Sequence, residues 1–80
     1  MRLSDLKKQQ RAIIRQVYHE TDTETTDQIA LRLIHLGFVA GESVEVITRG
    51  IFGGEPILVK IAGSRFALRH NEAKRIEIQA

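Results

Sequence analysis

The side chains with chemical potential are few and scattered. His19, His35 and His70 are the only imidazoles, each more than a dozen residues from the next. A metal centre needs ligands at spacings that fold them around one point. His19, Glu20 and Asp22 lie close enough in sequence to hold a divalent ion weakly, although solvated loop residues are the simpler reading. His35 falls near the C-terminus of a predicted helix, where a positive charge suits the dipole, and is a weak ligand candidate at most. Ser4, Ser43 and Ser64 stand in no nucleophile-elbow motif. Glu42 and Glu45 have strand spacing, and nothing nearby suggests the desolvated pocket that would make one of them an acid. Cysteine is absent, which excludes disulfides, thiolate metal sites and thiol nucleophiles and fits a reducing compartment. The expectation is a chain that is not an enzyme and has no resident cofactor beyond a weakly held divalent metal.

Binding chemistry is better represented. Residues 50–56, Gly-Ile-Phe-Gly-Gly-Glu-Pro, form a loop whose glycines permit close backbone approach. It is no phosphate loop, because neither Lys-Ser/Thr nor a helix follows, and this excludes an intrinsic GTPase. Ile51 and Phe52 are large apolar residues in this turn. They either fold back onto the end of the core or stand out as anchors for a protein partner. Arg49, Arg65 and Arg69 could form a cationic stripe across neighbouring strands, or pair with Glu45 and Glu77 on a solvated face. RNA binding would need two or three exposed rings for stacking. Only Tyr18, Phe38, Phe52 and Phe66 are available, and Phe66 is expected in the core.

The elements that must position these groups follow from periodicity. Residues 3–8 read as a short helical turn with Leu3 and Leu6 on one side. Residues 11–18 are β-branched and aromatic enough for a strand. The adjacent Ile13 and Ile14 require that one face outward or that the strand carry a bulge. After a polar stretch, Thr25 and Gln28 fit a capping box and Asp27 suits a helix N-terminus. Ile29, Leu33 and Leu36 recur with helical spacing and Gly37 terminates the run, predicting a helix over about residues 25–37. Beyond Gly37 the period becomes two. Strands are predicted over 43–49, 57–61, 65–69 and 75–79, with Arg65, Arg69, Arg75 and Glu77 outward and a single 3₁₀ turn at 71–74.

The predicted fold is mostly β: one domain over residues 1–80, a small five-stranded barrel with one helix inserted after the first strand, closed on itself to protect its edges. Eighty residues, 42% hydrophobic and 28% charged, suit one small globular core. The net charge is only +2, and it is segmented. Residues 1–18 are basic, while Glu20, Asp22, Glu24 and Asp27 make 19–28 acidic, so steering of a polyanion is partly cancelled. The basic start has no apolar run behind it and does not read as a secretory signal, and no segment approaches membrane-spanning length.

The run Arg32-Leu33-Ile34-His35-Leu36-Gly37-Phe38-Val39-Ala40-Gly41-Glu42-Ser43-Val44-Glu45-Val46 resembles the "R-L-x-x-L-G-hydrophobic-x-x-G-x-x-V-x-V" signature of the ferrous iron transport protein A family, FeoA. Phe52-Gly53-Gly54-Glu55-Pro56-Ile57 is similar to its glycine-containing loop, and Gly63-Ser64-Arg65-Phe66-Ala67-Leu68-Arg69 to its "G-x-x-x-A-L-R" strand. Glu72-Ala73 with Ile76-Glu77-Ile78 resembles the closing "E-A-x-x-I-x-V", and Leu3-Ser4-Asp5-Leu6 the "L-x-x-L" opening. Lys8-Gln9 stands where the family often has Pro-Gly. The resemblance implies an SH3-like barrel and a cytoplasmic accessory protein of bacterial ferrous iron uptake. It implies a protein-interaction module acting on the cytosolic GTP-binding domain of an inner-membrane ferrous iron transporter, with neither nucleic acid binding nor membrane insertion. Arg32, Arg49, Ile51, Phe52 and Arg69 are the expected contact residues. The alternative is a small RNA-binding or regulatory barrel, since iron-dependent repressors carry a similar C-terminal domain.

Overall fold

The computed structural model describes residues 1–19, 27–50 and 53–79. A 3₁₀ turn, Leu3–Asp5, precedes strand β1 (Arg11–Val17). Helix α1 (Gln28–Leu36) comes next, then β2 (Ser43–Gly50), β3 (Gly54–Ile61) and β4 (Ser64–Leu68). A one-turn helix α2 (His70–Ala73) leads into β5 (Ile76–Gln79). The strands form one antiparallel sheet in the order β4-β3-β2-β1-β5. All five predicted strands are present. The turn expected at 71–74 is α-helical and starts at His70, and the helical turn expected over 3–8 stops at Asp5 because Leu6 is extended.

Alternating burial shows why the sheet curls. Val44 and Val46 on β2, Ile57, Val59 and Ile61 on β3, and Ile76 and Ile78 on β5 are all buried, with polar or exposed neighbours between most of them. A helix of nine residues is too small to cover one whole face of a five-stranded sheet. The sheet therefore wraps around its own apolar side, helped by Leu3, Leu6, Leu33 and Phe38. Both options for the isoleucine pair are realised: Ile14 is buried, Ile13 is 44% exposed, and the β1–β5 register shifts between Ile14 and Gln16. The expected closure of the sheet on itself is not made by pairing. Among the described residues no ladder joins β4 to β5, because α2 occupies the connection between them. The β5 edge is instead covered by the N-terminus. Ile78 N–H donates to the Met1 carbonyl at 2.8 Å and Arg2 bridges to Glu77. Phe66, expected in the core, is half-buried and packs against Phe38 with ring centroids 6.1 Å apart.

The helix is fixed at both ends. Asp27 is the N-cap, its carboxylate accepting from Ala30 N–H at 3.2 Å. It takes the role expected of Thr25, which lies outside the described residues, and the helix begins at Gln28 rather than 25. At the other end Gly37 is left-handed, with φ 109°. Gly37 N–H reaches Ile34 O and Phe38 N–H reaches Leu33 O, each at 3.0 Å. This is a Schellman ending that seats Phe38 in the core beside Leu33.

Arg75 corrects an expectation. Predicted outward on a strand over 75–79, it is 9% exposed, because β5 starts at Ile76 and strand alternation does not govern Arg75. Its guanidinium pairs with the second carboxylate oxygen of Asp27, and its carbonyl accepts from Tyr18 N–H at 2.7 Å. Glu77 is also not free. It is half-buried and pairs with the Met1 amine at 3.1 Å and Arg2 at 3.3 Å. The β2–β3 hairpin carries a second irregularity. Gly50 pairs with Gly54 while Arg49 pairs with Ile57, so Glu55 and Pro56 bulge out of the ladder, a position that tolerates proline. A Cβ on Gly50 would sit 1.8 Å from the Glu55 carbonyl oxygen, so only glycine fits.

Asp27→Ala removes a helix cap and leaves an almost buried cation without that carboxylate. Loss of about 3 kcal/mol or more is expected in urea unfolding. Asp27→Asn keeps the capping oxygen and should lose less. Equal losses for the two variants would show that the charge pair with Arg75, and not the cap, carries the stability.

Candidate functional site

Two of the residues expected to contact a partner, Arg32 and Arg69, come together. Arg32 from the middle of α1, Pro56 from the β3 bulge and Arg69 from the end of β4 line one open groove with Ile29, Ala67, Asn71 and Glu72. The groove holds about 470 Å³ and is open to solvent, which suits a short peptide segment better than an enclosed small molecule. Its polar order centres on Glu72. One carboxylate oxygen accepts from Arg69 N–H at 2.9 Å, capping α2, and the other takes the Arg32 guanidinium. Glu72 is nearly buried whereas Arg32 is exposed, so the carboxylate anchors and the guanidinium spreads over the rim. Close by, the Glu55 carboxylate accepts from His70 N–H, tying the bulge to the start of α2. Glu72 and Asn71 were not singled out from sequence as contact residues. The spacing of Arg69 and Glu72, a cap and its third helical residue, was the available signal.

Arg49 serves a different place. Its guanidinium donates to the carbonyls of Ser4 and Leu6, both at 2.6 Å, and so closes the 3₁₀ turn against β2. The expected stripe of Arg49, Arg65 and Arg69 therefore does not form. Nor do Glu45 and Glu77 serve as its counterions, since Glu45 pairs with Arg11 at 3.4 Å and Glu77 with the N-terminus and Arg2. Cross-strand register instead builds the row Arg11, Glu45, Lys60 and Arg65 over four strands. Ile51 and Phe52 lie outside the described residues, as do Glu20 and Asp22.

His19 and His35 are exposed, His35 in the last turn of α1. Among the described residues no three His, Asp or Glu side chains gather closely enough to hold a metal ion. No helix among them is long and apolar enough to cross a membrane. Phe38 is buried and Phe66 leans on it, so neither ring is offered to a nucleic acid base.

The asymmetry of the groove is testable by denaturation. Glu72→Ala breaks the cap and uncovers a nearly buried site, and should cost about 1–3 kcal/mol. Arg32→Ala should cost less than about 1 kcal/mol because its side chain is half exposed. The reverse order would mean that Arg32, rather than Glu72, holds α1 to α2.

Comparison with solved structures places this geometry in a known setting. FeoA of Stenotrophomonas maltophilia, a prokaryotic SH3 domain protein crystallised with zinc and suggested to be a bacterial ferrous iron transport activating factor, is 44% identical. That likeness covers 99% of this chain and 89% of the other, with a TM-score of 0.83. The FeoA protein of Chlorobium tepidum is 35% identical over 98% of this chain and 68% of its own, with a TM-score of 0.78. T. acidophilum IdeR shares the fold at 19% identity and a TM-score of 0.75, with 98% of this chain covering 32% of that one. Among curated protein sequences none matched. The FeoA domain model matches residues 1–80 from end to end. With the curled five-stranded sheet and its inserted helix, that match makes this chain a member of the FeoA domain family, with an SH3-like fold.

Proposed function

We propose that this chain is a cytoplasmic accessory protein of ferrous iron uptake, acting as a protein-interaction module on the cytosolic GTP-binding domain of a ferrous iron transporter. The observation that carries the reading is the groove where Arg32, Pro56 and Arg69 meet. It is an open, rigidly supported recess on a chain of the FeoA family. SH3-like domains use such recesses between loops to take partner segments. Glu72 holds Arg32 in place, so the rim is set before a partner arrives. Arg69 adds a cation that no described side chain neutralises, and Ile51 and Phe52, which lie outside the described residues, are kept as contact residues from the sequence alone. Arg49 contributes through the fold, by fastening the 3₁₀ turn. The chain supplies contacts, and the partner supplies the nucleotide chemistry.

Calorimetric titration into the transporter's cytosolic domain, loaded with GTP analogue or GDP, tests this. Saturable binding is expected in at least one nucleotide state. Arg69→Ala and Phe52→Ala should each weaken it about tenfold, about 1.4 kcal/mol. Arg49→Ala should lower the unfolding midpoint while changing affinity little. Absence of binding in both states would sink the reading.

A further inference from the structure

We propose that the outer edge of β4 takes an extended acidic segment of a partner as an additional strand, with carboxylates two residues either side of a large apolar residue. The inference rests on the interaction-module reading and specifies how the partner is gripped.

The two edges of the sheet are treated differently. β5 is covered by the N-terminus, through Ile78 N–H to Met1 O and the bridge from Arg2 to Glu77. β4 pairs with β3 on its inner side only. Among the described residues no backbone group bonds to its outer edge. Such an edge is a template for another strand unless a bulge, a proline, charged side chains or a cover blunts it. Among the described residues β4 has no bulge, proline or cover, and its charges, Arg65 and Arg69, are of one sign, so they repel a like strand and admit an acidic one. Its register with β3 runs unbroken from Ser64 opposite Ile61 to Leu68 opposite Ile57, and it contains no proline.

The side chains select the partner. Arg65, Ala67 and Arg69 are exposed and alternate with the half-buried Phe66 and buried Leu68, so they share the outer face. Arg69 caps α2 but remains extended at φ −79° and ψ 159°, continuing the strand direction. Arg65 and Arg69 are therefore separated by about 13 Å along the edge. Neither forms an ion pair with a described residue, nor does Lys60 directly across from Arg65. A second copy of β4 would bring arginines against arginines, which disfavours self-pairing. A strand with carboxylates opposite Arg65 and Arg69 matches the charge. Ala67 between them leaves room for a large residue on the partner. Arg69 and Ala67 also line the groove beside α1, so an added strand would run directly into it.

The probe is a short synthetic peptide with glutamates two residues either side of a central leucine, used at millimolar concentration with the intact chain. Amide hydrogen exchange is followed by NMR. The peptide should slow exchange within Ser64–Leu68, and Arg65→Glu with Arg69→Glu should weaken it at least tenfold. A lysine-for-glutamate peptide should not bind. The same peptide N-methylated at alternate residues, which keeps its charges but cannot complete a ladder, should lose most of its affinity. Equal binding of the methylated peptide, or no β4 protection, overturns the inference. Concentration-dependent β4 protection without peptide would also overturn it, by showing a second copy on the edge. The transporter domain is titrated separately. If it binds without protecting β4, strand addition fails while the interaction module stands. If it does not bind but the acidic peptide does, the module reading fails in its choice of partner and the edge chemistry survives.

Discussion

The ion pair between Asp27 and Arg75 joins parts of the chain that lie far apart in sequence. Asp27 begins α1, and Arg75 stands between α2 and β5, with its carbonyl bonded to Tyr18 at the end of β1. One contact thus ties the helix inserted after the first strand to the strand that closes the sheet's far side. Both side chains are about nine-tenths buried, so the pairing works at low dielectric, where leaving either charge alone is far more costly than at a surface. The same carboxylate caps the helix through its other oxygen. Helix position, and hence the position of Arg32 over Glu72, depends on this geometry.

The candidate site follows from that placement. α1 brings Arg32, the β2–β3 bulge brings Pro56 and the turn out of β4 brings Arg69, so three elements distant in sequence meet at one groove. Glu72 sits at their junction and satisfies two of them at once. A buried acceptor serving both a helix cap and a cross-element guanidinium leaves little freedom for the rim. The surface combines the charged groups of Arg32, Arg69 and Glu72 with apolar lining from Ile29, Pro56 and Ala67. Such a composition favours selective contact with a partner over strong nonspecific adhesion.

Much of the fold was legible because its signals are local. Alternation gave the strands, helical spacing gave α1, and Gly37 marked its end. Charge pairing was less legible. Arg75 read as an outward strand residue because alternation was extended one position too far. Arg49 read as a surface cation because its partners, the carbonyls of Ser4 and Leu6, carry no sequence signature. Glu45 and Glu77 found different cations because register and the N-terminus, neither visible in composition, chose them. Of the expected contact residues, Arg32 and Arg69 meet at the groove while Arg49 does not. Long-range partners of flexible side chains are decided by three-dimensional adjacency, which spacing alone does not encode.

The double seating of α1 has a further consequence. An α-helix turns 100° with each residue, so its length and its rotational phase cannot vary independently. With Asp27 locked at one end and Phe38 sunk in the core at the other, the helix behaves as a screw held at both head and tip. Lengthening it by one residue would swing everything beyond the insertion to another face or unseat one of the two anchors. Arg32 is thereby indexed to a fixed azimuth, and a partner meeting it finds the backbone beneath it already immobilised. Much of the ordering entropy that flexible recognition loops lose on association has here been spent in folding.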